Sequence, residues 1–133
     1  MTDLPKPPKR PCGSCPYRRD VPSGIWDASE YEKLPQYDGE IIAQFMKGGT
    51  ALFMCHQQDG CLCGGWLQTH GADDLAALRL CAVDEAAYGY TSDVEVFATG
   101  AEAAAHGMAE IDAPGLEADK MRQGITKKRA RRA

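Results

Sequence analysis

No run of apolar residues in this chain approaches the ~18 that a membrane-crossing helix needs, which excludes a helical span. The first residues, Met1-Thr2-Asp3-Leu4-Pro5-Lys6-Pro7-Pro8, lack the apolar segment of an export leader, so export is not expected and a cytoplasmic setting is. Motifs that announce catalysis are lacking too: there is no Walker loop, no dinucleotide fingerprint, no His-Glu-x-x-His and no Gly-x-Ser-x-Gly. No catalytic residue and no small-molecule substrate are therefore assigned. Basic side chains are scarce through the middle. Between residues 21 and 118 only Lys33, Lys47 and Arg79 stand against sixteen carboxylates, a net of −13, so that stretch repels phosphate. Aromatics make up only 8% of the chain, and internal repeats are missing, which excludes a solenoid.

What is present fits one domain. The chain has 133 residues, 44% of them apolar, too many for wholesale disorder. The ends carry the positive charge. Residues 1–20 hold five basic and two acidic side chains, and residues 119–133 hold seven and one. The stretch Lys127, Lys128, Arg129, Arg131 and Arg132 can hold phosphates without sequence preference, although no aromatic accompanies it for base stacking. Nucleic acid or a protein is thus the expected partner, met through the basic termini.

Pattern and punctuation divide the chain into a disordered Pro/Lys-rich arm over 1–11, a globular domain over 12–112 and a disordered basic tail over 113–133. Helices are expected near 28–34, opened by Asp27 with Glu30 in its box, and near 40–47, with Ile41, Ile42 and Phe45 inward and Gly48-Gly49 closing it. Further helices are expected near 64–70, 73–83 and 101–109, the last opened by Thr99-x-x-Glu102. The short apolar run Thr50 to Met54 reads as a strand, and Val94 to Phe97 as its candidate partner. The class is α+β: a small helix-rich single domain with a short strand element. So modest a core invites a staple, and a four-cysteine metal site is the expected one.

Six cysteines in a chain not expected to be exported point to metal or redox chemistry rather than to disulfides. Cys12 and Cys15 form Cys-x-x-Cys, a spacing that offers two thiolates from one turn, with Gly13 free to take the angles that turn needs. A thioredoxin-type motif would follow a strand, and none precedes Cys12. Cys55 at the expected strand end and Cys63 before a helix complete a set of Cys12, Cys15, Cys55 and Cys63. Cys63 is preferred to Cys61 because amides at a helix start stabilise a thiolate. His56, Cys61 and His70 are candidate ligands or neighbours that hydrogen-bond a sulfur. Cys81 falls on the apolar face of its helix and reads as core, while His106 reads as a partner of a helix dipole. Four thiolates suit a zinc ion or an iron–sulfur cluster, and zinc is placed first because it needs neither assembly machinery nor a redox partner.

The blocks Pro11 to Gly24, Phe53-Met54-Cys55-His56-Gln57, Cys63-Gly64-Gly65-Trp66 and Leu75 to Leu80 resemble a family of small cysteine-motif proteins of actinobacteria and their phages, a domain of unknown function. The likeness runs from about Pro11 to Glu110. It implies that Cys12, Cys15, Cys55, His56, Cys63, Trp66 and His70 belong to the family's pattern, and that the place of Cys61 is not usually cysteine. It implies no activity. The expected function is a metal-binding module with a binding or regulatory role. An iron–sulfur protein for redox or sensing is the alternative.

Overall fold

The computed structural model describes residues 4–55 and 60–132, and of 127–132 only the backbone. Among the described residues there are six α-helices and no strand or sheet, which corrects the expected α+β class. The stretch Thr50 to Met54 is extended but pairs too briefly to count. Cys55 N–H bonds Cys61 C=O at 2.8 Å and Cys63 N–H bonds Phe53 C=O at 2.9 Å, a two-rung ladder. Three isolated bridges replace the sheet: Lys6 with Cys61, Met54 with Leu62, and Arg18 with Val96. The segment around Val96 therefore pairs with the cysteine loop and not with residues 50–55.

Helix α1 (Ala28–Glu32) opens on Asp27, whose carboxylate accepts from Ser29 N–H and Oγ at 3.1 and 2.7 Å. Pro35 does not end the helical path. It sits in the first turn of a 3-10 segment, Leu34–Tyr37, where its missing N–H costs nothing. Helix α2 (Ile41–Lys47) closes on Gly48 at φ 90°. Its orientation inverts the expected one. Ile42, Phe45 and Met46 are 68, 46 and 85% exposed, while Gln44 is fully buried. The reason is polar. Gln44 Nε2 donates to Gly39 C=O at 3.0 Å and Asp74 C=O at 2.6 Å, and its Oε1 accepts Ala76 N–H at 2.9 Å. Three hydrogen bonds from one fully buried amide outweigh the burial of two apolar side chains at a surface.

Helix α3 (Gly64–His70) leads through a 3-10 turn to α4 (Ala76–Leu80), which is shorter than expected because Leu75 is extended. Cys81 consequently stands past the end of α4 and is half-buried rather than core. Helix α5 (Gly100–Met108) is capped twice, by Thr99 Oγ1 on Glu102 N–H and by the Asp38 carboxylate on Gly100 and Ala101 N–H at 2.6 and 2.8 Å. Gly107 lies flat on the Tyr31 ring and lets α5 pack closely on α1. The expected unpatterned tail is instead α6 (Leu116–Arg132), which buries Ala118 and Ile125. The arm is docked as well, since Leu62 N–H bonds Lys6 C=O at 3.0 Å and Asp84 N–H bonds Pro5 C=O at 2.9 Å. No helix among the described residues is long and apolar enough to cross a membrane.

Six of the ten aromatics are buried, and they form the centre: Trp66 packs edge-on to Tyr37 at 5.3 Å, and Phe53 lies 6.0 Å from Tyr17 and 5.9 Å from Tyr37. The expectation of a fold stapled by a four-cysteine metal site is also corrected. Among the described residues no group of three or more His, Cys, Asp or Glu stands in a metal-holding arrangement, and the fold rests on its aromatic core.

Candidate functional site: a thiol cluster beside the aromatic core

The turn from Cys12 to Cys15 is closed by Cys15 N–H on Cys12 C=O at 3.0 Å. Trp26 Nε1 pins it from outside by donating to Ser14 C=O at 2.8 Å, and Arg18 donates to Pro11 C=O at 3.1 Å while holding Asp20 with two bonds. Gly13 has open space and no positive φ, so the turn does not depend on its freedom. Helix α3 meets this loop at Gly64 and Gly65. A Cβ on Gly65 would stand 2.5 Å from Cys15 Sγ and 2.6 Å from Tyr17 Cβ. The glycine pair is what lets the cysteine loop press against the helix.

The result is a run of neighbouring thiols. Cys15 Sγ lies 3.7 Å from Cys63 Sγ, and both are buried. On its other side Cys15 meets Cys12, which in turn reaches Cys55. No disulfide joins any of the six cysteines. Burial, above all, pushes the Cys15 thiol well above its ordinary value. Cys12 is raised first by its hydrogen bond with Cys15, with burial adding to this and Cys55 working against it. Burial and the neighbouring sulfur thus favour the neutral form of Cys12 and Cys15.

Phenols surround them. Tyr90 is pushed up to about 12, by burial first and then by Cys15 and Cys63, and Tyr37 is pushed up to about 12 by burial and then by Cys63. Tyr17 is raised well above the usual range, by burial first and then by Cys63 and Cys15. Two buried polar hydrogens near this cluster, Trp66 Nε1–H and Tyr90 Oη–H, have no acceptor among the described residues. None of these phenols was marked in the sequence. Tyr17 carried a signal, two residues past Cys15. Tyr90 lies in an unpatterned stretch and carried none.

His56 lies outside the described residues. Cys61 is half-buried, with its carbonyl facing Cys55 N–H. His70 is not beside the sulfurs. Its Nε2 lies 3.4 Å from Tyr17 Oη and its Nδ1 3.7 Å from the Asp38 carboxylate, and burial lowers it to about 4 against the raising effect of Asp38. His106, in the last turn of α5 as a dipole partner would be, donates from Nε2 to Val21 C=O at 2.6 Å and so ties α5 to the loop. Lys127, Lys128, Arg129, Arg131 and Arg132 fall in the last turns of α6.

Beside the cluster a cleft of about 570 Å³ opens between Lys33, Tyr37, Phe53 and Cys55, so the run of thiols meets solvent at its Cys55 end. Compared with known proteins, residues 7–123 match the model of a family of unknown function (DUF6283). No curated protein matches, and no solved structure matches.

Proposed function

We propose, for a chain that belongs to the DUF6283 family of unknown function, that it takes up a thiophilic metal ion on Cys12, Cys15, Cys55 and Cys63. The observation that carries this reading is the 3.7 Å between Cys15 Sγ and Cys63 Sγ. Sulfurs at ~2.3 Å from a tetrahedral ion stand about 3.8 Å apart, and the separation of this pair is compatible with one edge of such a site. A disulfide would need about 2.05 Å. A divalent ion bound there would displace the thiol protons. Uptake requires Cys12 and Cys55 to close on the pair, from the side of the cleft. Zinc is the first candidate and an iron–sulfur cluster the second.

A reducing, cytoplasmic compartment and an actinobacterial or phage setting belong to the same proposal, supported by six cysteines outside any disulfide and by the resemblance of the cysteine blocks. So does a binding or regulatory role toward nucleic acid or a protein, supported by a basic helix end on an acidic body.

Elemental analysis and cobalt(II) titration of the reduced, anaerobically purified protein test the metal. One ion per chain is expected. It should be lost in Cys15→Ser and Cys63→Ser and kept in Cys81→Ala. Iron with sulfide and a visible band selects the cluster, and absence of every metal with no cobalt uptake refutes the reading. The partner is tested by removing the residues after Thr126, which leaves the buried Ile125 in place. Duplex DNA binding with a log–log salt slope of about −4 to −5 should disappear with the five charges removed.

A further inference from the structure

Helix α6 is held by little. Among its described side chains Ala118 and Ile125 are buried, Met121 packs in part against the core, and Gly124 weakens the helix at its middle. Cavities of about 490, 310 and 380 Å³ run along it, and Arg122 lines all three. Its entry is seated more firmly, with Pro114 against Gly24, where an added Cβ would stand 2.9 Å from Pro114 Cγ. A helix so placed opens from its far end at lower cost than the core, as locally unfolding units do. That far end carries Lys127, Lys128, Arg129, Arg131 and Arg132.

What lies beside α6 leads to the cysteines. Ile25 and Trp26 line the 310 Å³ cavity together with Ile125. Trp26 is 8% exposed, and its Nε1 donates at 2.8 Å to the carbonyl of Ser14, inside the turn that joins Cys12 to Cys15. Once uncovered, the indole meets water, which competes for that N–H. The same flank is acidic. Asp27 and Glu30 line one cavity with Arg122, and Asp112 lines another with it. A polyanion held by the basic end therefore faces these carboxylates while α6 is docked and escapes them once it is released, a difference that favours release.

We propose that α6 is a latch on the cysteine turn: a nucleic acid gripping its basic end lifts it away from Trp26, and the turn from Cys12 to Cys15 loses the indole that pins it. This rests on the reading of the basic end given above and not on the metal.

The test uses the reduced, metal-free, full-length protein, a labelled DNA duplex at low salt, and iodoacetamide, which is uncharged and drawn to neither. Anisotropy of the duplex follows binding, and mass spectrometry times the alkylation of each cysteine. Bound DNA should raise the rates of Cys12 and Cys15 by about fivefold or more and leave that of Cys81 unchanged. Ile125→Ser, which removes a buried anchor of α6, should raise the same two rates without DNA. Trp26→Phe, which lacks the indole N–H, should show both rates high and no longer responsive to DNA. A merely structural Trp26 would leave that response in place. If either variant does not fold, the unsubstituted protein decides alone. Rates within about twofold of the free protein while DNA is bound overturn the latch and leave the basic-end reading intact. No DNA binding at low salt overturns both.

Discussion

Gly65→Ala adds one methyl group at the point where α3 meets the cysteine loop. The new Cβ would stand 2.5 Å from Cys15 Sγ and 2.6 Å from Tyr17 Cβ, more than 1 Å inside contact distance. Neither neighbour can give way easily, because Cys15 and Tyr17 are both 0% exposed. Overpacking of this kind costs about 1–3 kcal/mol, and alanine's helical advantage over glycine returns at most ~1 kcal/mol. A net loss near 2 kcal/mol corresponds to a melting temperature lowered by roughly 7 °C in a chain of 133 residues, taking ~2.1 cal/mol/K of unfolding entropy per residue. Gly13→Ala is the control. Nothing lies within 4 Å of its Cβ and its φ is not positive, so it should change stability by less than ~0.5 kcal/mol. Urea and thermal unfolding of both variants, followed by tryptophan fluorescence, measure the difference. Equal stability of Gly65→Ala and the parent, or equal damage from Gly13→Ala, would refute the packing argument.

Three further outcomes are expected. His70 is 7% exposed and its pKa is lowered to about 4 by burial, so the unfolded chain takes up its proton first as pH falls below ~6.5. Stability should hold above that pH and decline toward pH 4. The loss should be about 2 kcal/mol between pH 7 and pH 5, and His70→Asn should flatten that part of a urea-unfolding profile. Gln44→Leu should cost about 2–3 kcal/mol in the same assay, because Ala76 N–H and two carbonyls lose their partners. Ile42→Lys should be neutral within ~0.5 kcal/mol, since Ile42 is 68% exposed; a large loss would mean that α2 faces the other way.

Local signals located most helices in the sequence and missed how they are turned. Asp27, Thr99 and Gly48 act where their chemistry suggests, and α1, α2, α3 and α5 follow. The face of α2 was misread because periodicity counts apolar side chains and cannot see that Asp74 and Ala76, some thirty residues away, present backbone groups only an amide can satisfy. Helix α6 was missed because its charged sequence has no apolar stripe; among its described side chains Ala118 and Ile125 are buried and Met121 packs against the core. Spacing marked Cys12, Cys15, Cys55 and Cys63 as candidates. The phenols went unmarked, since the fold brings Tyr37 and Tyr90 into the electrostatic neighbourhood of the cysteines through tertiary approach alone.

The brevity of the helices has a kinetic consequence. Helices α1 to α5 run to between five and nine residues, below the ~12–15 at which an isolated helix is even marginal in water. None of them can persist until distant segments meet it. Two of the three bridges that gather them join Lys6 to Cys61 and Arg18 to Val96, so long loops must close before most of the local order is rewarded. An all-helical chain of this design should refold on the slow timescale of non-local β-proteins, with far-ultraviolet ellipticity and tertiary fluorescence rising together in one phase.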